Sequence, residues 1–188
     1  MQKPSPMSTK TLAYCALLAA LSVVLARLVV PMPNAFTRFS IEAVPIFLAG
    51  LLFGPVAGGM VGFSSDLVGC LFSGFGYNPI FCVPPVLYGV FAGLFRYLVG
   101  TKHSLPWLIV SFLVPAVLGS VLYQSAALAF VYNTAGTFQK SLIYFLTTRS
   151  IQFAVTAAVD ILILYFLLNA RVFHRLGIWP PVRGKETQ

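Results

Sequence analysis

Arg149, Gln152, Thr156 and Asp160 stand three, four and four residues apart inside a stretch that is otherwise nearly all apolar from Ser141 to Leu168. At about 100° per residue the four share one helical face, within roughly 80°. Arg149 and Asp160 are eleven positions apart, about 16 Å along a helix axis, so they do not pair and each needs another partner. A second group, Arg27, Arg38, Ser40 and Glu42, falls within sixteen residues around the connection Pro31-Met-Pro33. Arginine presents a planar fork that grips carboxylates or flat heterocycles. Glu42 is suited to accept from an amino-substituted ring or to hold one of the arginines in place. This is the chemistry of recognition. The sequence contains no GxxxxGK[ST], HExxH or CxxC and no Ser–His–Asp order, and His103 and His174 fall in polar connections, so neither an enzyme nor a P-loop nucleotide binder is expected.

These groups interrupt apolar sequence that runs from Lys10 to Leu168. With 59% hydrophobic residues, a mean hydropathy of +0.90 and 9% charged residues, against about 25% charged in soluble domains, the chain is that of an integral membrane protein. A charge at mid-bilayer costs about 2.5–3.5 kcal/mol on insertion scales, which makes Arg27, Arg38, Glu42, Asp66, Arg149 and Asp160 candidates for function. Blander roles compete. The stripe on the last helix is also what a structural polar seam between helices looks like. Arg27 and Arg38 sit where arginines snorkel to an interface, and Asp66 suits a buried hydrogen-bond hub. The net charge of +8 comes from basic residues at the ends of apolar runs, which indicates topology rather than nucleic-acid binding. Cys15, Cys70 and Cys82 have neither metal spacing nor a disulfide pattern, so no metal or cofactor is expected.

The elements that must position these groups follow from apolar length and from proline and glycine breaks. Helices are expected at about 11–30, 41–53, 56–72, 83–99, 106–132 and 141–168, with a break at Gly54–Pro55, a kink at Pro115 and turn chemistry in Ser73-Gly-Phe-Gly-Tyr-Asn-Pro79. The first is read as a retained helix, not a cleaved signal. The expectation is an all-α integral membrane protein, a compact six-transmembrane-helix bundle forming a single domain over 1–188. Eight basic residues (Lys3, Lys10, Arg96, Lys102, Arg171, Arg175, Arg183, Lys185) then fall on the side of both termini, against Arg38 and Lys140 opposite, which makes both termini cytoplasmic.

Small residues add two packing features. Gly50, Gly54, Gly58 and Gly62, then Gly89 and Gly93, recur every four positions, which lets helices approach backbone to backbone. Ala13, Ala16 and Ala20 make a smooth face on the first helix, for internal packing or for a partner. On a straight helix Arg27 would share that face within about 20°, so one stripe would have to serve both a partner and a pocket unless the helix bends.

The run Arg38-Phe-Ser-Ile-Glu-Ala-Val-Pro-Ile-Phe-Leu-Ala-Gly-Leu-Leu-Phe-Gly-Pro-Val-Ala-Gly-Gly-Met-Val-Gly, followed by Asp66-Leu-Val-Gly, resembles the S-components of energy-coupling factor (ECF) vitamin transporters. Ala26-Arg27-Leu, Arg38-Phe-Ser and Thr148-Arg149-Ser-Ile resemble the folate branch, and the resemblance covers nearly the whole chain. The segment Gly76-Tyr-Asn-Pro-Ile-Phe departs from the family's usual Gly-x-Tyr-Phe-Pro-Gly. The resemblance implies a vitamin-binding subunit in the cell membrane. Its partners would be a transmembrane coupling subunit, docked through Ala13, Ala16 and Ala20, and two ATPase subunits. For folate it implies arginines on the carboxylates, Glu42 or Asp66 on the amino-pyrimidine edge, and Phe75 or Tyr77 stacked on the rings, with Ser40, Asn78 and Gln152 completing the site. Related branches take pantothenate, hydroxymethylpyrimidine or queuosine-type precursors. A self-sufficient proton-coupled transporter using Asp66, Asp160 or Glu42 is the competing class, although no internal repeat is visible.

Overall fold

The computed structural model describes residues 9–27, 30–31, 38–73, 78–100, 104–132 and 137–170. Its helices are α1 (Thr9–Leu25), α2 (Ala43–Phe53), α3 (Pro55–Ser73), α4 (Val83–Val99), α5 (Ser104–Pro115), α6 (Gln124–Tyr132) and α7 (Phe138–Asn169). A 3-10 turn, Pro79–Cys82, leads into α4, and a π-helical segment, Ala116–Tyr123, joins α5 to α6 in one apolar rod, Leu105–Val131. Six rods result, in the expected order. Among the described residues four of them are long and apolar enough to cross a membrane. Two-residue strands, β1 (Val30–Pro31) and β2 (Arg38–Phe39), pair antiparallel with Val30 opposite Phe39.

Proline and glycine set the breaks. Pro45, Pro55, Pro84 and Pro85 lie in first turns, where a missing N–H costs nothing. Gly54 ends α2 at φ +100°, a conformation that disfavours a side chain. α1 corrects the expectation: it stops at Leu25, not Val30. A residue before proline is pushed out of the helical region, and Val30–Pro31 pairs as a strand instead. The expected kink at Pro115 is a π segment. Proline removes one donor and crowds the carbonyl four residues back, and the wider turn absorbs both effects.

α2, α3 and α4 form the tightest part of the molecule. A methyl group on Gly50 or Gly58 would collide with the Gly89 carbonyl, one on Gly62 with the Pro85 carbonyl, and one on Gly93 with Pro55 backbone. The elbow at Gly54 lies against the Arg96 guanidinium in the last turn of α4, so that end of the bundle is the elbow side. The main apolar core, with Phe47, Leu51, Phe112 and Leu164 fully buried, lies between the elbow and the middle of the bundle. A smaller cluster of Leu128, Ala129 and Phe145, with Phe81 and Leu142 against it, lies toward the opposite, strand side. Large apolar side chains such as Leu71, Phe130 and Ile151 point outward, as expected of a lipid-facing surface.

Gly89→Ala is expected to destabilise the detergent-purified protein by about 1–3 kcal/mol, because the obstacle is backbone that cannot rotate away. Gly69→Ala, whose added methyl meets nothing within 4 Å, should melt at or slightly above the wild-type temperature. Equal melting temperatures for the two variants would remove the close-packing account.

Candidate binding site between the two apolar clusters

The eleven residues of α2 span only about 16 Å, roughly half of a 30 Å hydrocarbon core. Its C-terminus is at the elbow, so its N-terminus, preceded by Ser40, Ile41 and Glu42, ends near mid-depth. Non-helical backbone at that depth is tolerated only where protein or a water-filled cavity surrounds it. Ser22 Oγ donates to the Glu42 carbonyl at 2.8 Å, tying α1 to this point. The start of α2 also brings the positive end of a helix dipole to the interior.

α7 faces that point with the predicted stripe. Arg149, Gln152, Thr156 and Asp160 are all buried, and Asp160 is only 1% exposed, while Ile151, Val155 and Leu162 on the other face are exposed. The helix therefore turns its polar face inward and its apolar face to lipid. Asp160 lies nine residues from the end of α7, about 14 Å, which matches the depth of the α2 N-terminus. Glu42 lies within electrostatic reach of Asp160. Thr156 is held by its own helix, donating to the Gln152 carbonyl at 2.9 Å.

Arg149 sits closer to the strand side. Its Nε donates to the Ser120 carbonyl at 3.2 Å and its Nη2 to Gln124 Oε1 at 2.8 Å, and the guanidinium lies 5.2 Å from the Phe153 ring centre. Ser120 belongs to the π segment, and its hydroxyl donates to the Tyr88 hydroxyl of α4 at 3.3 Å. Tyr88, Ser120 and Gln124 were not singled out by sequence reasoning. Gln124 alone carried a signal, as an amide inside an apolar run. The polar layer thus spans α2, α4, the π segment, α6 and α7, and separates the two apolar clusters.

The remaining predicted residues are distributed around this layer. Arg27 lies past the end of α1, in a turn closed by its N–H to the Val24 carbonyl at 3.0 Å. Its guanidinium donates to the Gly69 carbonyl of α3 at 2.5 Å. Because the helix ends first, Arg27 leaves the alanine stripe, and its exposed side chain lies against α3. Ala13, Ala16 and Ala20 are exposed, opposite the buried Cys15 and Ser22. β2 carries the Arg38 backbone against α7, while the Arg38 side chain, Phe75 and Tyr77 lie outside the described residues. Ser40, Glu42 and Asp66 are half-buried. Asn78 caps the 3-10 turn, accepting from the Ile80 N–H at 3.1 Å. Among the described residues no group of three His, Cys, Asp or Glu residues is placed to hold a metal.

A helical bundle that is apolar outside and carries arginine, glutamine and acid side chains at mid-depth defines a multi-pass membrane protein with a polar layer in its interior. The chain matches the family model described as ECF-type riboflavin transporter, S component, over residues 6–171, and it belongs to that family of ECF-transporter S components. No curated protein matches it. Among solved structures it is similar to FolT bound with folic acid (TM-score 0.72, 25% identity, covering 85% of this chain and 93% of that one). It shares the fold of the S-component for biotin from an ECF-type ABC transporter (TM-score 0.64, 18% identity, 90% and 96% covered). It also shares that of the S component of a bacterial ECF transporter (TM-score 0.55, 24% identity, 85% and 96% covered).

Asp160 Oδ1 is buried without a hydrogen-bond partner among the described residues, and an unsatisfied buried polar atom costs free energy, the more so when its group is ionised. Asp160→Asn keeps the shape and removes the group's ability to ionise. It should raise the stability of the ligand-free protein by up to about 3 kcal/mol in thermal unfolding. A fall of several degrees in the melting temperature would mean that the carboxylate is a structural anchor.

Proposed function

We propose that this chain is the high-affinity vitamin-binding subunit of an ATP-driven ECF uptake transporter in the cell membrane, and that its vitamin is folate. The observation that carries the folate reading is Arg149, a buried arginine at the strand side of the polar layer that donates to the Ser120 carbonyl and to Gln124 Oε1. A buried cation of that kind suits a flat ligand with a carboxylate tail. The likeness to a folic-acid-bound S-component at 25% identity supports the same ligand. Glu42 and Asp66 are the acids suited to an amino-pyrimidine edge, and Arg27, Arg38, Ser40, Phe75, Tyr77, Asn78 and Gln152 are the further contacts this reading proposes. Binding, with no chemistry on the ligand, is the whole of the subunit's own task.

Riboflavin is the second reading, favoured by the description of the matching family. It is also a flat heterocycle, but it has no carboxylate to offer Arg149. In the ECF reading the elbow side faces the cytoplasm with both termini. The exposed face of Ala13, Ala16 and Ala20 docks against a transmembrane coupling subunit that carries two ATPases.

Detergent-purified protein, with no proton gradient, is expected to bind folic acid more tightly than riboflavin. Arg149→Ala should weaken folic acid binding about 10- to 100-fold, the range for hydrogen bonds to a charged group. Undiminished affinity in that variant would remove Arg149 from the site, and preference for riboflavin would replace the folate reading. Ala16→Leu should abolish uptake by the assembled transporter while leaving folic acid binding by the isolated subunit intact. Normal uptake by that variant would contradict docking through this face.

A further inference from the structure

Two uncharged oxygens accept from the Arg149 guanidinium, the Ser120 carbonyl at 3.2 Å and Gln124 Oε1 at 2.8 Å. The Ser120 carbonyl is part of the π segment and is fixed by backbone geometry. Gln124 is the first residue of α6, and there the side chain itself makes the contact. A glutamate in its place would reach the same nitrogen with the same number of bonds and would form an ion pair inside the membrane. An aliphatic residue would leave Nη2 without that acceptor and release one edge of the fork. An amide meets both demands: it accepts from the guanidinium, and it adds no negative charge to cancel the positive one. An amide in an apolar helix at this depth is itself costly unless it is hydrogen-bonded, so its presence calls for a reason, and the bond to Arg149 supplies one.

We propose that Gln124 is a positioning and specificity-determining residue. It orients Arg149 toward the ligand and, as a neutral acceptor, tunes the site to prefer an acidic ligand over an uncharged one of the same shape. The inference rests on Arg149 meeting an acidic ligand, as set out under the proposed function. It adds that the discrimination by charge is set one residue away, on a different helix.

The experiment compares folic acid with its uncharged dimethyl ester, bound to the full chain in detergent, in the wild type, Gln124→Glu and Gln124→Met. The readout is the ratio of the two affinities, which a purely structural role of Gln124 would not move. Gln124→Glu is expected to weaken folic acid by about tenfold or more, the scale of one charged hydrogen bond, and to change the ester by much less, so the ratio collapses. Gln124→Met keeps size and neutrality but loses the acceptor. It should lower the ratio by a smaller factor, and it carries the test if the glutamate variant does not fold. A wild-type ratio in the variants that fold, or equal losses for both ligands, would overturn the role of Gln124. Arg149→Ala separates this failure from failure of the underlying reading. If that variant retains folic acid affinity, the ligand assignment falls. If it loses affinity while the position 124 ratio stays at the wild-type value, only the present inference falls.

Discussion

The brevity of α2 is the constraint on which the rest of the molecule depends. A helix of eleven residues reaches only about halfway through a bilayer, so the backbone that precedes it must descend into the membrane. That backbone requires a surround of protein or water. α1 supplies part of it through the Ser22–Glu42 bond, and α7 supplies more with its inward polar stripe. The helix can stay at this depth because α3 and α4 clamp it, through glycines whose carbonyls and α-carbons touch with no room for a methyl group. Close packing near the elbow and openness to polar groups further up are therefore two consequences of one arrangement. Filling the glycine contacts would move α2, and with it the N-terminus that faces Asp160.

Much of this was legible in the sequence. The order and nearly all the bounds of the helices followed from apolar length and from proline placement, since these residues set helix ends through the donor they lack. The stripe Arg149, Gln152, Thr156 and Asp160 was legible because helical periodicity is local, and all four residues are buried as a set. The glycine ladder was legible as spacing, but which helix it met was not, because that depends on how α4 lies against α2 and α3. The early end of α1 was missed because apolar sequence runs on to Val30, and it is the strand pairing with Arg38–Phe39 that draws the chain away. The π segment was half visible in Pro115. The contacts of Ser120 with Tyr88 and of Ser120 and Gln124 with Arg149 were not visible, because these residues come from elements far apart in sequence.

Membership of the S-component family and the polar layer at mid-depth address different questions. The family sets the architecture and the kind of work, while the ligand is a matter of which groups line the interior. The description of the matching family points to riboflavin and the folic-acid-bound neighbour to folate. The physical discriminator between them is charge. In the proposed reading Arg149 favours a ligand that brings a carboxylate, because an ion pair with good geometry offsets the desolvation of both charges. Shape alone would not separate two flat ring systems.

The central claim is that the polar layer lines a ligand cavity open to one side of the membrane, and is not a closed seam between helices. The most direct measurement is thiol labelling of Gln152→Cys in a variant lacking Cys15, Cys70 and Cys82, in intact cells, with a membrane-impermeant reagent. The account predicts labelling from outside in the absence of folic acid and protection when folic acid is present. A thiol that stays unlabelled in both conditions, while the protein folds and binds, would show a sealed interface and contradict it.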